Sequence, residues 1–204
     1  MYKLKIIMFM LFLCITTSCN AGTSTAQNEL IRLVKLSIKG DVSSFQQEYS
    51  KYKHKGMSQQ ENQPPLIWLV AKYGTADILD FLIKNGVVPD STNTRSKQTP
   101  WPTPLFAAVT GNKIDNIKHL LKAGADVNYL NRSGYNAFVE ALTLARYDIA
   151  LFLLNNGART DFNDAVALLQ AAVISKSSIL WPYYKKLIDH YKSKGIEIST
   201  PQQN

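Results

Sequence analysis

The chain of 204 residues is poor in the side chains that carry chemistry. Its two cysteines, Cys14 and Cys19, both lie near the start, so nothing after residue 19 can close a disulfide or build a thiolate metal cluster. The three histidines, His54, His119 and His190, stand far apart with no carboxylate or cysteine at ligand spacing. That pattern implies no metal and no metal-held cofactor. Neither a glycine-rich phosphate loop, a nucleophile elbow nor a His-Glu helix motif occurs, which removes the usual starting points for nucleotide and hydrolase chemistry. Asp77 and Asp80 are three apart on one helical face, the spacing of an ordinary solvated face. No catalytic residue is assigned, and an enzyme is not expected. Long apolar runs are missing as well: Ile6 to Ile15 is ten residues, about half of the roughly 20 that cross a bilayer as a helix. The net charge of +8 comes from lysines scattered along the chain, whereas a nucleic-acid binder gathers basic and aromatic residues into one patch.

What is present is apolar material. With 46% hydrophobic and 19% charged residues, the chain can bury a sizeable core, and wholesale disorder is excluded. The first 22 residues differ from the rest, with Lys3 and Lys5, then the apolar run, then small and hydroxylated residues. This is the pattern of a secretory signal peptide, and without its two lysines the remainder carries +6. The run closes on Thr16-Thr17-Ser18-Cys19, which resembles the lipobox of bacterial lipoproteins. Thr16 stands where that family prefers leucine, and the aliphatic Ile15 is displaced by one. The resemblance implies a signal peptide over 1–18 and acylation of Cys19 as the new first residue; the other reading is ordinary cleavage near Ala21. Asn20 at the next position implies sorting to the outer membrane, with 19–28 as the lipidated cysteine and a polar tether.

The remaining sequence repeats itself. Thr103-Pro104-Leu105 opens a helix, Ala107-Ala108 supply small packing residues, Ile117 with Leu120-Leu121 mark the apolar face of a second helix, and Gly124-Ala125-Asp126 end it. Gly157 follows Gly124 by 33 residues, with Asn136-Ala137-Phe138 in place of the Thr-Pro-Leu opening; Gly86 precedes Gly124 by 38, so five extra residues lie between those two units. The segment from Thr103 to Gly134 resembles an ankyrin repeat at nearly every signature position, with Phe106 where the family often has histidine.

The resemblance implies an all-α solenoid of about five helix pairs with short finger hairpins. Its domain spans 29–198: an N-terminal cap repeat over 29–62, clear repeats over 63–102, 103–134 and 135–164, a C-terminal cap over 165–198, and a tail over 199–204. Such pairs cannot bury their apolar faces alone, so neighbours must stack and terminal pairs must be polar outside. Lys185, Lys186, Asp189 and Lys192 supply that outer side in the last helix.

Ankyrin solenoids bind through their finger tips and the exposed positions of their inner helices. Carried over position by position, these fall at Lys72, Tyr73, Thr110, Gly111, Thr143 and Leu144 on the helices, and at Arg95, Lys97, Trp101, Leu130, Arg132 and Tyr135 in the fingers. Trp, Tyr and Arg dominate interface energetics. Tyr73 and Tyr135 are expected to face solvent, Trp68 and Trp181 to pack inward, and Trp101 either to fold back or to reach out. Small ankyrin lipoproteins of this kind resemble immunity proteins of contact-dependent or type VI secretion systems, which block a toxin, often a phospholipase, in the periplasm. The resemblance implies one specific protein partner, contact with a membrane only through the lipid, no nucleic acid, and a monomer when unbound. A periplasmic scaffold for an endogenous envelope protein is the alternative.

Overall fold

A computed structural model describes residues 25–54, 64–92 and 102–199. Among the described residues ten helices form and there is no strand. They come in pairs: α1 (Thr25–Lys39) with α2 (Val42–His54), α3 (Leu66–Tyr73) with α4 (Ala76–Lys84), α5 (Pro104–Thr110) with α6 (Ile114–Lys122), α7 (Ala137–Thr143) with α8 (Tyr147–Asn155), and α9 (Asn163–Ala171) with α10 (Trp181–Ser193). The first members stack in sequence as an inner row, α1 on α3, α3 on α5, α5 on α7 and α7 on α9, while α2, α4 and α6 form an outer row beside them.

The two rows follow from composition. In α3 the whole run from Leu66 to Ala71 is buried, and in α5 the run from Pro104 to Val109. A helix apolar all round is stable only with neighbours on every side, which the inner row provides. The outer helices bury one stripe each: Ile78, Leu79 and Leu82 in α4, Ile117 and Leu120 in α6, Ile149, Ala150 and Leu153 in α8. Each fully buried aliphatic contributes about 1.5–3 kcal/mol. Leu121 lies half-buried at the edge of the α6 stripe, so of the Leu120-Leu121 pair only the first is a core residue.

The outer helices stop at Gly86, Gly124 and Gly157, with φ of 86°, 88° and 88°. In that left-handed conformation the chain turns back, and the next residue's N–H satisfies a carbonyl of the last turn: Val87 bonds Leu82 O at 3.1 Å, Ala125 Leu120 O and Ala158 Leu153 O at 3.0 Å each. The expected finger hairpins are turns wherever they are described. Ser91 N donates to Val88 O, Tyr129 N to Asp126 O, and Gly134 N to Asn131 O. One cross-bond, Asn131 N to Tyr135 O at 2.8 Å, closes the third finger, too short a pairing for a ladder.

At the C-terminal end, α9 stops at Ala171, and Ile174 is buried in the following loop. Tyr184 donates to Leu169 O at 2.9 Å and Tyr191 to Thr160 O at 2.8 Å, locking α10 onto the stack. Burial pushes the Tyr191 phenol up to about 12. Lys185, Lys186, Asp189 and Lys192 are all exposed.

Candidate functional site on the inner helices and fingers

The stacking that builds the core also builds a surface. Lys72, Thr110 and Thr143 occupy the same position near the ends of α3, α5 and α7. Because those helices pack in order, the three residues form one row. The Lys72 amine sits 5.0 Å from the Trp68 ring centre and 5.3 Å from that of Tyr73, a cation held over two aromatic faces. Trp68 itself is buried. Thr110 donates to Ala107 O at 2.9 Å and Thr143 to Val139 O at 3.0 Å, so both hydroxyls are turned onto their own helices.

The next position in each repeat is Tyr73, Gly111 and Leu144. Tyr73 is half-buried and packed against the core, not solvent-facing as its helical position suggests. Gly111 is a packing point, because a Cβ built on it would come within 2.2 Å of Lys72 O. Leu144 is exposed.

The third finger is shaped by an asparagine. Asn131 Oδ1 accepts from Ser133 N at 2.9 Å and from Tyr135 N at 3.0 Å, an Asx turn that sets the loop without a strand. Leu130 and Arg132 are thereby held at the surface. Tyr135 is half-buried, with its ring against the core and its hydroxyl donating to Asp164 Oδ2 at 2.5 Å. This bond to a carboxylate raises the phenol pKa. Tyr135 thus joins the finger to the first turn of α9 and offers a partner its edge only. Arg95, Lys97 and Trp101, like Cys19, lie outside the described residues.

Electrostatics on the other side are those of an ordinary helix surface. Asp80 pairs with Lys84 at 2.5 Å and lies 3.9 Å from His119 Nδ1; the lysine bond holds the Asp80 carboxyl below its usual range. Among the described residues no group of three or more His, Cys, Asp or Glu could share a metal ion, and no helix is long and apolar enough to cross a membrane.

Sequence reasoning missed the polar side chains that fix the stacking register. The Asn116 amide donates to Ala71 O at 2.9 Å, within 3.3 Å of Val70 O and Gly74 O, and the Arg146 guanidinium donates to Val109 O. Both reach carbonyls in the last turn of the inner helix of the preceding repeat, where Val70 O and Val109 O also accept backbone bonds from Gly74 N and Asn112 N. Their signal was a polar residue on the buried side of an outer-helix start.

Paired helices in two rows, glycine stops 38 and 33 residues apart and turn-shaped fingers define an ankyrin-type solenoid. Residues 66–164 match the family of ankyrin repeats, in three copies. Residues 66–164 therefore carry ankyrin repeats within an all-α solenoid, and such repeats indicate a protein–protein interaction module and are typically non-enzymatic.

Proposed function

We propose that this chain is a lipid-anchored protein of the bacterial envelope whose inner-helix and finger face binds one toxin in the periplasm and blocks it, as immunity proteins do. The observation that carries the reading is the five-residue excess of the Gly86 to Gly124 interval over the 33 residues from Gly124 to Gly157. That longer segment carries Arg95, Lys97 and Trp101, and in sequence it joins the repeat of Lys72 to the repeat of Thr110. Loop insertions of this size alter stability little, so recognition is the better explanation of an insertion rich in interface-type residues. The leader ending at Cys19 supports delivery to a membrane with the solenoid outside the cytoplasm, and a polar tether separates the two.

The test is affinity capture from the envelope with the full chain as bait. Under this reading the captured protein is toxic when directed to the periplasm alone, and growth returns when the chain is produced with it. Capture of a resident envelope protein with no toxicity would replace this reading with a scaffold.

A further inference from the structure

We propose that the loop between α9 and α10, with the first turn of α10, is a membrane-contacting surface that lies on an anionic lipid interface. The terminal pair of a stacked array must turn a polar side to water, and α10 does so with its lysines. The nine-residue loop before it does not: Val173 and Ile179 are each 86% exposed, and Tyr183 and Pro182 follow at the surface of the helix.

The loop is not loose chain that could fold these side chains away. Ser178 N donates to Ser175 O at 2.9 Å and Trp181 N to Ser178 O at 3.0 Å, giving two successive turns. Ile174 is buried beneath it, and Leu180 and Trp181 pack half-buried against the core. The Trp181 ring lies 5.7 Å from that of Tyr184, itself edge-on to Tyr147 at 5.3 Å. The apolar tips therefore stand on a braced platform.

Charge selects the occupant. No acidic residue occurs between Asp164 and Asp189, while Lys176, Lys185 and Lys186 lie in that stretch and are all exposed. Aliphatic tips, an exposed tyrosine and lysines without acids form the composition of an interfacial anchor, in which shallow apolar insertion adds to attraction by anionic headgroups. A stable protein interface buries about 800 Å² on each side, far more than these four apolar side chains supply.

The test uses the full chain carrying Cys14→Ser, Cys19→Ser and Ser177→Cys, labelled at position 177 with an environment-sensitive fluorophore. The local probe reports this loop whatever the N-terminal segment does. Vesicles of equal parts phosphatidylcholine and phosphatidylglycerol should shift its emission to the blue, vesicles of phosphatidylcholine alone should not, and a probe at Lys84→Cys should not respond to either. Adding Val173→Ser with Ile179→Ser should abolish the shift with unchanged circular dichroism. Changing Lys176, Lys185 and Lys186 to glutamine should weaken binding about a hundredfold, near fivefold for each lysine. No shift with anionic vesicles, or a shift that survives the double serine variant, would overturn the proposal. So would a shift produced by envelope proteins but not by anionic lipid, which would make the occupant a protein.

Discussion

Asp90 Oδ2 accepts a hydrogen bond from Asp126 N at 2.9 Å, just as Asn128 Oδ1 accepts one from Arg159 N at 2.7 Å in the next repeat. In both cases a side chain four residues past the glycine stop reaches the residue two past the next stop. Asn128 uses its second atom too, donating from Nδ2 to Gly157 O at 3.1 Å. Asp90 has only a second carboxylate oxygen there, and that oxygen is buried without a partner.

Asp90→Asn should therefore stabilise the fold, because the new amide can donate to the Gly124 carbonyl. Satisfying a buried polar atom is worth about 1 kcal/mol. The parent's pH dependence has the matching sign. Burial raises the Asp90 pKa above its ordinary 3.8, and the Asp126 charge adds to this. The folded state thus takes up protons above the unfolded pKa, so Asp90's contribution is most favourable below it and is lost as pH rises through the folded value. Urea melts from pH 3 to 7 should show the variant's advantage at neutral pH, shrinking as the pH falls. A variant no more stable than the parent at pH 7 would refute the mechanism.

Gly111→Ala should destabilise. The added Cβ would lie 2.2 Å from Lys72 O, which is backbone and cannot rotate away. Forcing the two repeats apart should cost roughly 1–3 kcal/mol, read as a lower urea midpoint. The same change at Gly134, where a Cβ meets nothing within 4 Å, costs only the strain of its left-handed φ of 77°.

Ala145→Asn should stabilise. Ala145 has φ of 52° at the corner between α7 and α8, where the preceding repeat has Asn112 at 55°. Left-handed backbone costs alanine roughly 1 kcal/mol, which asparagine offsets in part through local hydrogen bonding. A rise in thermal midpoint of a few degrees is expected; a fall would mean that the Ala145 methyl packs better than its exposure suggests.

Leu120→Ala should cost about 2–5 kcal/mol, and Leu121→Ala clearly less, since only Leu120 is fully buried. Equal losses in chemical denaturation would contradict the register of α6.

The helix pairs, their period and their glycine stops were legible in the sequence because each depends on local chemistry: apolar spacing, and a backbone conformation that glycine takes readily. Positions whose role depends on the neighbouring repeat were not. Gly111 reads as an open helix end until Lys72 O is seen against it. Tyr73 and Tyr135 read as exposed from periodicity, yet both are half-buried and packed against the core. Leu120 and Leu121 are adjacent on the helix, and only the tilt of α6 against α4 decides between them. The exposed pair Val173 and Ile179 looks in sequence like ordinary cap packing.

The proposed binding role of the inner-helix and finger face is tested by measuring the affinity of the captured partner for two variants of the full chain. In one, Leu130→Asp and Arg132→Glu change the third finger; in the other, Lys84→Glu and Lys118→Glu change exposed sites on the outer helices α4 and α6. Both should fold as the parent does. The finger variant should lose about 2 kcal/mol or more of binding, and the outer variant should stay within about 0.5 kcal/mol of the parent. The opposite pattern, with the finger variant binding normally and the outer variant failing, would show that the partner uses the outer row.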